Sequence, residues 1–122
     1  MTERPPDLEH LCLHTITTRP WSLEDAVPRY AAAGVKGISV WREALNGRSP
    51  GSAGKLIRDS GLTVVSLVRG GFFAAAEKAR RLEAVEENRR IIDEAFELSA
   101  PHVVLVCGSD PAQPLAESRK QI

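Results

Sequence analysis

The side chains best placed to do chemistry in this sequence stand at the ends of short apolar runs. His14 lies near the close of LCLHTIT, residues 11–17, where its ring can hydrogen-bond a ligand hydroxyl. The alternative is a satisfied polar group on the same strand face as Cys12 and Ile16. Trp41 and Arg42 follow the apolar run at 37–41. A tryptophan there can stack on the apolar face of a ring, and an arginine can grip a phosphate or carboxylate with two parallel hydrogen bonds. Their structural alternative is a packed aromatic beside a salt bridge to Glu43 or a neighbour. Arg69 gives the sharpest signal, because it precedes Gly70-Gly71 and then Phe72-Phe73. Two glycines let the backbone turn abruptly and approach a ligand, while the guanidinium offers a fixed cationic fork. Phe72 and Phe73 would roof the pocket or anchor the loop. The plainer reading is a loop whose glycines serve geometry only.

No catalytic residue emerges from the spacing. Glu43 lacks a second carboxylate or histidine placed to support it, and proton shuttling normally uses two titratable groups in separated environments. Cys107 before Gly108 reads as buried filler rather than a nucleophile. Asp110 is expected to cap a helix beginning near Pro111 or Pro114. Arg80, Arg81, Arg89 and Arg90 are interleaved with glutamates, the pattern of a solvated helix face. The four strand ends carry no convergent Glu, Asp and His set, so no metal site is expected within these residues.

Positioning these groups falls to a repeated unit of strand, helix and turn. Ser22 is a plausible N-cap, with Asp25 three residues on. A helix follows to residue 33, with Leu23, Ala26, Val27, Tyr30 and Ala31 on one face. Pro28 removes one of its hydrogen bonds, and Gly34 closes it. The strand GISVW comes next, at 37–41. A second helix over 53–61 ends on Gly61 and precedes the strand TVVSLV at 63–68. A longer helix spans about 77–98, with Leu82, Val85, Ile92 and Ala95 on one face and Glu86 and Arg90 at the favourable i,i+4 spacing. HVVLVCG, at 102–108, is a fourth strand, and PLAESRKQI, at 114–122, reads as a fourth helix. Ser99-Ala100 fills the turn that glycine serves in the earlier units.

Strands separated by single helices must run parallel, and right-handed crossovers place the helices outside the sheet. Near-continuous apolar strands suit a sheet covered on both faces. The class is therefore α/β. An open doubly wound sheet would carry a glycine-rich phosphate loop after its first strand, whereas Thr17, Thr18, Arg19 and Pro20 stand there. Polar or aromatic groups at all four strand ends favour a parallel (β/α) barrel of the TIM type. With about four βα units, that barrel is incomplete.

Composition narrows the partners. The 16 basic and 16 acidic side chains cancel, which argues against nucleic acid or an anionic membrane surface. No apolar run approaches the roughly 20 residues that span a bilayer. Residues 1–9 hold acidic residues and two prolines but no apolar core, so a disordered lead-in is expected there rather than a signal peptide. Residues 10–122 form the barrel segment. Cys12 and Cys107 make neither a CxxC pair nor a disulfide framework, and a cytoplasmic setting is expected.

The segments WSLEDAVPRYAAAGVKGISVWRE, SGLTVVSLVRGGFF, ENRRIIDEAFELSA and VVLVCG together resemble the sugar phosphate isomerase/epimerase group of the xylose isomerase-like TIM barrels. The likeness runs from residue 11 to 122, and its most specific part joins the Trp-Arg-Glu after strand two to the Arg-Gly-Gly-Phe-Phe after strand three. It implies a sugar or sugar-phosphate substrate, with His14, Trp41, Arg42, Arg69 and Phe72 on the binding side. It also implies a divalent metal (manganese, magnesium, cobalt or zinc) that polarises a carbonyl while a carboxylate moves a proton. In such barrels the metal ligands stand on later strands, so this chain holds none of them and is expected to be inactive alone. The endonuclease IV-like branch is a poorer match, since it needs histidine ligands at early strand ends and only His14 is available. A non-catalytic alternative takes the four units at face value. Their two open edges and exposed inner face would make a homo-oligomer or an aggregation-prone half-barrel.

Overall fold

The computed structural model describes residues 7–122. Most of the expected lead-in, residues 1–6, lies outside the described residues. Close behind it, the Leu11 amide donates to the Leu8 carbonyl at 3.0 Å and closes a turn into the first strand.

Four strands, β1 (Cys12–His14), β2 (Gly37–Trp41), β3 (Thr63–Gly71) and β4 (Val103–Val106), alternate with four helices. These are α1 (Leu23–Ala32), α2 (Pro50–Asp59), α3 (Lys78–Leu98) and α4 (Leu115–Lys120). The sheet order is β1-β2-β3-β4 and every neighbouring pair is parallel. The sheet is open, with β1 and β4 as its edges. The expected α/β architecture of four βα units in an incomplete barrel is the observed one.

Local chemistry sets most boundaries. The Ser22 hydroxyl accepts from the Asp25 amide at 3.2 Å and starts α1, as its spacing predicts. Pro28 sits on the exposed side of α1, where one missing hydrogen bond is readily tolerated. The second helix begins earlier than its apolar pattern suggests. Ser49 caps it from the Ser52 amide at 3.2 Å, and Pro50 occupies the first turn, where proline's missing N–H costs nothing. Ser99 ends α3 in the left-handed region at φ 65°, taking the place that glycine holds in the earlier units.

Two strands differ from expectation. β1 stops at His14, because Thr15–Thr18 winds into a 3-10 turn. The Thr18 side chain bonds the Tyr30 hydroxyl there, a local alternative to the sheet ladder that threonine favours. β3 runs three residues further than its apolar stretch. Gly70 pairs with Leu105 and Gly71 with Val106, so the two glycines belong to the ladder, and a register shift leaves Arg69 as the extra residue between them and Val68.

The core lies between the sheet and α1–α3, where Leu23, Val27, Ile38, Ile57, Leu67 and Leu98 are fully buried. On α3 the expected apolar face is corrected. Ala95 is buried along with Ile91 and Leu98, but Leu82, Val85 and Ile92 are exposed on the helix flank. The helix carries two apolar stripes, and only the one facing α2 and β3 is covered. The expected Glu86–Arg90 pair is replaced by two i,i+3 pairs, Glu86 with Arg89 and Glu87 with Arg90.

The opposite face of the sheet, the concave one of a barrel, is polar at its centre. Ser39 pairs in register with Ser66, and their hydroxyls bond at 2.6 Å. The Cys12 thiol lies 3.4 Å from the Ser39 hydroxyl on the other side. Trp41 and Val68 form the next row towards the carboxyl ends of the strands. That row carries the functional candidates.

Candidate functional site

Four of the five residues singled out in the sequence meet at the carboxyl ends of β1, β2 and β3. His14 ends β1 and Trp41 ends β2, with their ring centroids 6.4 Å apart at an interplanar angle of 69°. The indole N–H donates to His14 Nδ1 at 3.1 Å. Indole nitrogen is a donor only, so Nδ1 supplies its lone pair and the ring proton of neutral His14 resides on Nε2. That N–H is left as a donor for another acceptor. The backbone beneath Trp41 is fixed from β1, since the Trp41 amide donates to the buried Thr15 hydroxyl at 3.0 Å.

Arg69 completes the group from β3. Its guanidinium carbon sits 5.8 Å from the Trp41 ring centroid and 4.9 Å from that of Phe72. Such stacking holds the planar cation while leaving its N–H edge free. Among the described residues no carboxylate pairs with it and no acceptor engages it. Phe72 is half exposed and adopts φ 56°, a left-handed turn that swings its ring beside Arg69.

Arg42 goes elsewhere. It opens a 3-10 turn, Arg42–Leu45, and reaches back to α3. There its Nε and Nη2 donate to the two carboxylate oxygens of Glu94 at 2.7 and 2.8 Å, and Nη1 lies 2.8 Å from Glu87. The Glu94 hydrogen bonds, with Glu87 behind them, raise the Arg42 pKa further. The Glu87 carboxyl is held below the usual range, first by Arg90 and then by Arg42. Nε and both terminal nitrogens are thereby committed to carboxylates, and the packed salt bridge is the arrangement found at this position.

Two depressions flank the cluster. One, of about 270 Å³, lies between the ends of β1 and β2 and is lined by Thr15, Arg19, Trp21, Trp41 and Glu43. The other, of about 290 Å³, lies between β3 and α3 and is lined by Arg42, Glu43, Arg69, Phe72, Glu87 and Asn88, so the paired Arg42 borders it beside the unpaired Arg69. Glu43 borders both and is half exposed, with Arg19 3.8 Å away.

Two other expectations are corrected. Cys107 is exposed rather than buried, because β4 is an edge strand. Asp110 does not cap α4, which starts at Leu115 with no side-chain cap. Its two oxygens instead accept from the Ala76 amide at 2.8 Å and the Ala112 amide at 2.9 Å, tying the loops after β3 and β4 together. Those two amides lower its pKa. Sequence reasoning overlooked Thr15 and Asn88. Asn88 is a poor helix former inside a helix rich in Ala, Glu, Arg and Leu, and that misfit was its signal.

Among the described residues no three His, Cys, Asp or Glu side chains come together to hold a metal ion. The donor set of the described residues does not fit the divalent metal that the family resemblance implies. No helix is long and apolar enough to cross a membrane.

Comparison with known proteins places the fold. No family model and no curated protein matches the chain. Among solved structures, protein SMc04130 from Sinorhizobium meliloti 1021 superposes with a TM-score of 0.85 at 33% identity, over 93% of this chain and 42% of its own. A xylose isomerase-like TIM barrel/4-hydroxyphenylpyruvate dioxygenase fusion protein superposes with a TM-score of 0.77 at 20% identity, over 90% of this chain and 18% of its own. The chain has the fold of part of a xylose isomerase-like TIM barrel. It spans less than half the length of either solved protein.

Proposed function

We propose that this chain is the substrate-gripping part of a sugar or sugar-phosphate isomerase or epimerase. The observation that carries the reading is Arg69, stacked on Trp41 and Phe72 at the strand ends with its hydrogen-bonding edge unengaged among the described residues. A cation so placed suits a phosphate or a hydroxyl-rich ligand, Trp41 suits the apolar face of a sugar ring, and His14 Nε2–H suits a ring hydroxyl. Groups that move the proton, and any divalent metal, would stand on barrel strands beyond these four. A reducing, cytoplasmic setting fits two cysteines that form no disulfide.

The test is titration with glucose 6-phosphate and with xylose, followed by Trp41 fluorescence in a Trp21→Phe background. Losing one charge-assisted hydrogen bond costs about 1.5–3 kcal/mol, so Arg69→Ala should weaken capture of the phosphate roughly tenfold or more. Unchanged capture in the variant, or no capture by the parent chain, would remove the reading.

The open edges favour a second, non-catalytic reading. β4 leaves Val104 and Leu105 exposed, and the α3 flank leaves Phe96 85% exposed. In a parallel sheet the free edge of β4 is complementary to the free edge of β1. Two copies related by a twofold axis could therefore join β4 to β1 twice and close eight strands. Light scattering after size exclusion should then give a dimer; a sharp monomer with cooperative unfolding would exclude it.

A further inference from the structure

We propose that Asn88, in the middle of α3, is the residue that positions Arg69 over Trp41. The proposal deepens the reading of the mouth as a binding site and rests on it for its functional meaning, but its geometry stands independently. The Asn88 carboxamide clasps Gly71 at both ends. Its Oδ1 accepts from the Gly71 amide at 2.7 Å, and its Nδ2 donates to the Gly71 carbonyl at 2.9 Å. A third bond, from Nδ2 to the Ala84 carbonyl at 2.7 Å, fixes the carboxamide on its own helix.

Gly71 is held as closely on the other side. A Cβ on it would lie 2.2 Å from the Val106 carbonyl oxygen, and its φ of +99° is one that other residues rarely adopt. The next amide, of Phe72, donates to that same Val106 oxygen at 2.7 Å. A Cβ on Gly70 would meet Asn88 Oδ1 itself at 2.7 Å. The end of β3 is thus wedged between β4 and one side chain of α3, and that wedge sits between the two residues whose side chains stack, Arg69 and Phe72. The Arg69 side chain has no hydrogen-bond partner of its own among the described residues. Its place over Trp41 is set by the backbone that carries it, and a single side chain satisfies both polar groups of Gly71.

The direct test is the ring-current shift of the Arg69 side-chain protons, measured by NMR on the whole chain. In the parent they should be displaced upfield by Trp41 and Phe72. Asn88→Ala should return them close to random-coil positions, while core resonances such as those of Ile38 and Leu67 stay in place. Asn88→Asp keeps the shape and the acceptor for the Gly71 amide but loses both donated bonds, so it should give the same loss if Asn88→Ala folds poorly. Retention of the Arg69 shift in both variants would overturn the proposal. So would loss of the shift only together with the whole fold, since Asn88 would then hold the domain and not the arginine. Titration with glucose 6-phosphate adds the functional arm. Asn88→Ala should weaken capture about tenfold, as Arg69→Ala does, and the double variant should be no worse than either. If the parent shows the Arg69 shift but takes up no glucose 6-phosphate, the sugar-phosphate reading fails and the positioning role stands.

Discussion

Arg42 and Arg69 occupy similar places, at the carboxyl ends of adjacent strands, and meet opposite fates. The chain after β2 turns at once into a short helix, which delivers the Arg42 guanidinium to Glu87 and Glu94 of α3. The chain after Val68 stays in the sheet for three more residues, and the register shift leaves Arg69 out of the ladder, above aromatic rings. One cation is neutralised by two carboxylates and ties β2 to α3. The other is neutralised by nothing among the described residues. Residue type and strand position are the same, so availability for a ligand is decided by the backbone path of the next few residues.

The largest effect expected from disturbing this contrast is at Gly71. A methyl group there would press on the Val106 carbonyl and force an unfavourable φ, with no flexible side chain to yield. Gly71→Ala should destabilise the fold by about 3 kcal/mol or more, read from chemical denaturation. A loss under about 1 kcal/mol would mean that the end of β3 can take another path, and Arg69 would then have no fixed address.

Much of this was legible in the sequence. The four strands, the Ser22 cap and the bounds of α3 to within a residue follow from apolar runs, capping side chains and glycine punctuation. These signals are local, so a single sequence carries them. The stripe of α3 that faces the core was not legible, because both of its stripes are apolar and only the neighbours α2 and β3 decide between them. The site divides in the same way. Four of its five candidates converge, since strand ends in a parallel sheet must lie together. Arg42 could not be told from Arg69, because its partners are 45 and 52 residues away in the chain, on a helix face that periodicity left undetermined.

The smaller effect concerns Arg42 and separates the two arginines most cleanly. Arg42→Ala should leave capture of glucose 6-phosphate unchanged, where Arg69→Ala removes most of it. Its cost should appear in stability instead. The pairs with Glu94 and Glu87 are about one-third exposed, so they are worth more than free surface pairs and less than buried ones. A loss of about 1–2 kcal/mol at neutral pH is expected from urea denaturation. Acid gives the sign. The Glu87 carboxyl is held below its usual range by Arg90 and Arg42, so its stabilising share is complete above the unfolded-state value and fades as pH falls through the lower folded value. The gap between parent and Arg42→Ala should therefore narrow steadily as the solution is taken below the carboxylate range. Arg90 still supports Glu87 in the variant, so its acid sensitivity is reduced without vanishing. A gap that stays constant with pH would assign the worth of Arg42 to the packing of its aliphatic stem. The carboxylates would then not be what commits it to α3, and the contrast with Arg69 would rest on backbone path alone.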